Sequence, residues 1–142
     1  MLPNLDDTIA AMASPPGGAA RGIVRASGPD VLACVEAVFQ PDPPRPWTAI
    51  RAPTVISGWV RLPGVHSPLP CELYVWPGRR SYTGQPAAEF HTIGSPPLVE
   101  ALLSALCRSG ARLAQPGEFT LRAFLSGRID LTRAEAVLGA VD

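Results

Sequence analysis

Seventeen prolines are spread through 142 residues, and they decide where regular structure can run. Proline lacks an amide N–H and fixes its own φ, so it breaks helix interiors and is kept out of central strands. Gln40–Trp47, QPDPPRPW, holds four prolines in eight residues and is expected to carry no regular structure. The elements must therefore be short, fit between prolines and be joined by extended connections.

Those intervals have readable periodicities. Asp7–Ala13 is apolar and reads as a strand, and the stretch from Gly22 to Ser27 as a second one, with the turn-rich SPPGGAARG between them. Ser27 stands three residues before Asp30 with Pro29 between, which resembles a capping box, and Val31, Val35 and Val38 recur at helical spacing. A helix is expected from about Pro29 to Phe39. Further on, Ile56, Val60 and Leu62 alternate with Ser57, Trp59 and Arg61, and Cys71, Leu73 and Val75 alternate with Glu72, Tyr74 and Trp76. Two strands joined by a longer hairpin loop follow from that period. Ala87–Ile93 reads as a short strand.

Ser95-Pro96-Pro97 opens a helix, because the first amides of a helix have no intrahelical partner to lose. Leu98, Leu102, Ala105 and Leu106 form its apolar stripe, Gly110 stops it, and Ala111–Gln115 reads as a last strand. This order predicts an α+β domain with a mixed β-sheet and flanking helices. The final stretch reads as two more helices. Glu118 suits the positive end of the first, Phe119 and Phe124 anchor one face, and Gly127 stops it. Thr132 and Glu135 form a T-x-x-E capping box with Leu131 and Ala136 at the staple positions, and Val137, Leu138 and Val141 begin a stripe. A helix of about ten residues is marginal alone. The expected division is therefore residues 1–117 as one domain and 118–142 as the opening of a helical one.

Composition excludes several classes. Twelve basic residues, all arginine, balance twelve acidic ones, so the basic footprint of a nucleic-acid binder is missing. Cys34, Cys71 and Cys107 are odd in number, far apart and without CxxC spacing, which favours buried, reduced thiols over a disulfide framework or a zinc site. No apolar run approaches the roughly 18 residues of a membrane span, and a cytoplasmic protein is expected.

Motifs for chemistry are sparse: there is no GxxxxGK[ST], HExxH or GxSxG. His66, in a proline-rich loop, is expected to be solvated. His91 lies two residues from Glu89, on one face of a strand, where they form either an acid–base pair or a surface ladder pair. Glu89 also sits between the Thr83-Gly84 turn and the Gly94-Ser95-Pro96 helix start, where a carboxylate can accept two N–H donors from a planar heterocycle. Arg25, near a strand end, can hold an anionic tail or an acidic partner. Spacing leaves ligand binding and a surface salt bridge both open for Arg25 and Glu89.

Three stretches, DTIAAMASPP…GIVRASGP, SYTGQPAAEF and RLAQPGEFTLRAFLSGRIDLTRAEAV, resemble the N-terminal domain of the tRNA modification GTPase family, the TrmE/MnmE type. The likeness implies a fold like the folate-binding domain of aminomethyltransferases, a homodimer, and binding of a tetrahydrofolate derivative, the 5-formyl or 5,10-methylene form, as one-carbon donor. It also implies modification of the tRNA wobble uridine together with a flavin-dependent partner protein, and a helical domain beginning near Thr132. GTP, Mg and K would belong to a GTPase domain outside these residues, and tRNA contacts mainly to other domains. The family's folate contacts fall on Arg25, Glu89 and Arg128, the last an arginine in place of lysine. Gln85 and Pro86 replace the family's Glu and Asp, and Thr92, Ile93 and Ser95 replace Gly, His and Gly. Ile93 is thus expected to fill space a ligand needs. The alternative reading is a non-catalytic dimerisation and scaffold module with a degenerate folate pocket. An independent one-carbon transferase would need a longer chain.

Overall fold

The computed structural model describes residues 5–14 and 20–141. The expected loop after Ser14 lies largely outside these residues, as do the side chains of Ala140 and Val141 and the whole of Asp142. Among the described residues, seven strands form one mixed sheet in the order β3-β4-β5-β6-β2-β1-β7. They are β1 (Thr8–Met12), β2 (Arg21–Ser27), β3 (Phe39–Pro41), β4 (Thr54–Val60), β5 (Leu69–Trp76), β6 (Ala87–Ile93) and β7 (Ala111–Leu113). All neighbours are antiparallel except β1 and β7. The α+β expectation is met, with helices on both faces.

One face packs under α1 (Val31–Val38) and α2 (Pro96–Arg108). Val24 and Ala26 of β2, Leu73 and Val75 of β5, and Ala88 and Phe90 of β6 meet Val31 and Val35 of α1 and Leu102 and Leu106 of α2 in the core. Every one of these side chains is buried, and each large one contributes roughly 1.5–3 kcal/mol by leaving water. The alternation read in the sequence for β4 and β5 is the alternation observed: Ile56, Val60, Cys71, Leu73 and Val75 are inside.

Local signals differed from expectation at three points. Ser27 does not cap α1. It is wholly buried, and its hydroxyl donates to the Pro86 carbonyl at 2.9 Å and lies 2.7 Å from Thr83 Oγ1. Helix α1 instead starts after Asp30, whose amide donates to Thr8 Oγ1. The proline-rich segment is not wholly irregular, since Phe39–Pro41 pairs with β4 and Trp47–Ala49 makes one 3₁₀ turn. Pro41 is tolerated because β3 is the sheet's edge. Helix α4 (Leu131–Val141) is capped by Asp130 rather than Thr132: the Arg133 amide donates to Asp130 Oδ1 at 2.8 Å.

Helix α3 (Glu118–Leu125) lies on the other face, where Phe119 meets Arg25 of β2 and a four-charge cluster ties the helix to Arg112 of β7 and to Asp7 just before β1. Arg112 of β7 donates through Nε to Asp7 Oδ2 at 2.5 Å and through both terminal nitrogens to Glu118, at 2.9 and 2.5 Å. Arg122, only 1% exposed, donates to Asp7 Oδ1 at 2.5 Å, to the Asp7 carbonyl at 2.8 Å and to Gln85 Oε1 at 3.0 Å. Glu118 also accepts the Gln115 amide at 2.8 Å. Hydrogen bonds from Arg112 hold the Asp7 carboxyl below its ordinary range against the opposing effect of burial. Burial works to raise the Glu118 carboxyl, but Arg112, the Gln115 amide and Arg122 together hold it low. Gly117 enters α3 at φ 76°, a left-handed conformation glycine adopts without a Cβ penalty.

Cutting one partner from a buried ion cluster strands the others, so Arg122→Met should cost about 3–5 kcal/mol, measured by urea unfolding. Both carboxyls have folded values below their unfolded ones. Their contribution is therefore fully present above about pH 4–4.5 and is lost as pH falls through the lowered values. Urea midpoints recorded across pH 2–6 should fall in acid, and Asp7→Asn should make that fall shallower.

Candidate functional site

The sheet register places the predicted residues. Arg25 of β2 is directly opposite Glu89 of β6, and Glu89 is opposite Tyr74 of β5. All three stand on the face away from α1 and α2, because the period of a strand is two. Arg25 Nε donates to Glu89 Oε2 at 2.8 Å. His91 Nε2 lies 3.1 Å from Glu89 Oε1, and its ring lies 4.2 Å from that of Tyr74. With His91 at 11% and Glu89 at 18% exposed, this is a half-buried polar row rather than a solvated ladder pair.

Helix α3 roofs this row and leaves a cavity of about 430 Å³. Arg25, Ser27, Ala87 and Glu89 form its floor. Trp76 of β5, Tyr82 of the following loop and Phe119 of α3 give it aromatic walls, and Ser81, Thr83 and Thr120 add hydroxyls. The roof is tied to the loop by a 3.0 Å hydrogen bond between Tyr82 Oη and Thr120 Oγ1. The Arg25 guanidinium lies 5.9 Å from the Phe119 ring centroid, within cation–π range. Gly84 turns at φ 76°, and a Cβ there would stand 2.5 Å from Ser126 Oγ, so the loop closes on the end of α3 only with glycine. A planar, partly polar group of modest size suits such a space: aromatic walls for its faces, one carboxylate for its N–H edge.

Arg128 is exposed in the turn after α3. Its stem passes Gly84, and its side chain is not among those lining the cavity. Ile93 does not fill the cavity either. Half exposed at the opposite end of β6, it lines a separate shallow groove with Arg21, Trp59 and Glu72. The β6 register separates it from Glu89 by four residues. Gln85, where the resembled family has Glu, accepts from Arg122 and donates to the Leu5 carbonyl at 2.8 Å, so it belongs to the charge cluster that seats α3.

The aromatic walls escaped the sequence reading. Phe119 was legible as a helix anchor, but nothing in SYTG marks Tyr82 as a wall, because that loop has no period. Cys34 and Cys71 are buried and Cys107 is half-buried, all three as free thiols. Burial pushes the Cys71 thiol up to about 12, so it stays protonated. His66 is exposed, as expected. Among the described residues, no group of three or more His, Cys, Asp or Glu side chains could hold a metal ion, and no helix is long and apolar enough to cross a membrane.

Residues 8–128 match the family described as GTP-binding protein TrmE N-terminus. The chain is 48% identical, over its whole length, to the tRNA modification GTPase MnmE of Rhodopirellula baltica. It is 43% identical over 96% of its length to the protein of the same name from Symbiobacterium thermophilum, and 45% identical over 93% to that of Nitratidesulfovibrio vulgaris. The chain spans about 30% of the length of these relatives.

Ser27 ties the cavity floor to its loop, and Ser27→Ala should cost about 1–2 kcal/mol by deleting its hydrogen bonds to Thr83 and Pro86. Urea unfolding of the variant beside the parent checks this value.

Proposed function

The chain belongs to the tRNA modification GTPase family through its TrmE N-terminal domain, and on that premise we propose that it binds a tetrahydrofolate one-carbon donor and mediates dimerisation. One observation carries the reading: a carboxylate, Glu89, sits on the floor of a cavity of about 430 Å³ with three aromatic walls. The donor set suits a reduced pterin. Glu89 receives the N–H edge of the aminopyrimidine, Trp76, Tyr82 and Phe119 flank its faces, and the hydroxyls of Ser81 and Thr83 meet its remaining polar atoms. Arg25 and, at the outer rim beside Gly84, Arg128 provide positive charge for the anionic tail. When bound, folate supplies the one-carbon unit, and the protein's part is to orient it and exclude water.

In the same reading the protein acts in the cytoplasm on the wobble uridine of tRNA, with a flavin-dependent partner. GTP hydrolysis, with its Mg and K, resides in residues beyond these, since no phosphate-loop motif occurs in the 142. Dimerisation is supported by the open sheet face, where Val55, Trp59 and Ile93 remain exposed. A second reading, an assembly module without cofactor, is favoured by the fact that both Glu89 oxygens already have partners in Arg25 and His91.

Calorimetry with 5-formyltetrahydrofolate decides between them. Binding is expected, and Glu89→Ala should weaken it by roughly 2–4 kcal/mol through loss of a charged, desolvated contact. Equal affinity in parent and variant removes the role of Glu89. A well-folded dimer, by analytical ultracentrifugation, that ignores every folate tried selects the assembly module.

A further inference from the structure

Glu89 is held from two sides, and the two holds are not equivalent. Arg25 reaches Oε2 across the strand pair, but its side chain is 41% exposed. His91 reaches Oε1 along the same strand and is 11% exposed. An exposed guanidinium on a long stem fixes geometry weakly, whereas a half-buried ring packed on a neighbour fixes it well. The His91 ring is packed on Tyr74 and faces Arg21, whose terminal nitrogen lies 3.3 Å from His91 Nδ1.

The ring's two contacts fit one placement of its proton. Arginine is a donor only, so Arg21 must donate and Nδ1 must accept. Glu89 as a carboxylate accepts only, so Nε2 must carry the proton and donate to Oε1. The groups facing the ring are Arg21 from β2, Glu89 from its own strand, and Tyr74 and the register partner Glu72 from β5.

We propose that His91, packed on Tyr74 with its Nε2–H turned to Oε1, is the positioning residue that sets the plane of the Glu89 carboxylate toward the cavity. Each carboxylate oxygen can accept a second hydrogen bond. With Oε1 tied to His91 and Oε2 to Arg25, one acceptor site on each oxygen remains for a pair of adjacent N–H donors. This specifies the ligand edge: two neighbouring N–H groups, as in an amidine or an aminopyrimidine. The inference rests on the folate reading for its ligand but not for its tautomer.

Two measurements separate those parts. In the ligand-free protein, long-range ¹H–¹⁵N spectra near pH 8 should show His91 with a bare Nδ1 and a protonated Nε2. A ring with its proton on Nδ1 and a bare Nε2 in the parent protein overturns the positioning role, since Nε2 then has nothing to donate to Glu89. In calorimetry with 5-formyltetrahydrofolate, His91→Phe keeps a ring against Tyr74 but has no donor, and should bind at least tenfold more weakly. His91→Gln keeps an N–H near the Nε2 position and should bind within about threefold of the parent. Equal binding by both variants, or equal loss in both, overturns the positioning role. If the parent binds no folate while the tautomer result holds, the cofactor reading fails and the hold of His91 on Glu89 stands.

Discussion

The clamp of Asp7, Arg112, Glu118 and Arg122 is the constraint on which the rest of the molecule depends. Without it the polar row of Arg25, Glu89 and His91 would lie on an open sheet face in high dielectric, where ion pairs contribute little. With it, α3 is tied to Asp7 and to Arg112 of β7, and Phe119 and Thr120 are brought across the row to make an enclosed space. Arg122 is almost wholly buried, so its charge is tolerable only because carboxylates and a carbonyl surround it. The clamp also draws in Gln85, which fixes the Ser81–Pro86 loop that forms the cavity's side.

The two faces of the sheet thus do different work. One is apolar and buried under α1 and α2, and it supplies most of the burial that stabilises the fold. The other is amphipathic, with aromatic and charged side chains in alternate positions of β2, β5 and β6. Such a face needs a covering, and α3 with α4 covers only part of it. Around Glu89 the covering leaves a slot. Farther along the strands, at Trp59 and Ile93, it leaves an exposed surface of the kind that associates with another protein surface.

Single positions changed meaning once the chain was folded. Ser27 carried the mark of a helix cap but turned inward to hold Thr83, because β2 runs to Ser27 and its alternate side chains face the loop. Thr132 and Glu135 carried a capping pattern, yet Asp130 caps α4, since Gly127 ends α3 early enough for the next helix to start sooner. The loop Ser81–Pro86 has no hydrophobic period, so Tyr82 gave no hint of the wall it forms. Ile93, suspected as an obstruction, lies four residues along β6 from Glu89, on a groove of its own.

The sequence by itself determined the α+β class, every described strand but β3, the inward and outward faces of β4 and β5, and the placing of Glu89 and His91 on one face. Each follows from period or from proline and glycine chemistry, which act between residues near in the chain. Only tertiary structure decided that Arg25 meets Glu89, that Asp7 just before β1 locks together with Arg112 of β7 and Glu118 and Arg122 of α3, and that Trp76, Tyr82 and Phe119 enclose one space. Those contacts join residues as far apart as Asp7 and Arg122, and no local propensity encodes a distance of that kind.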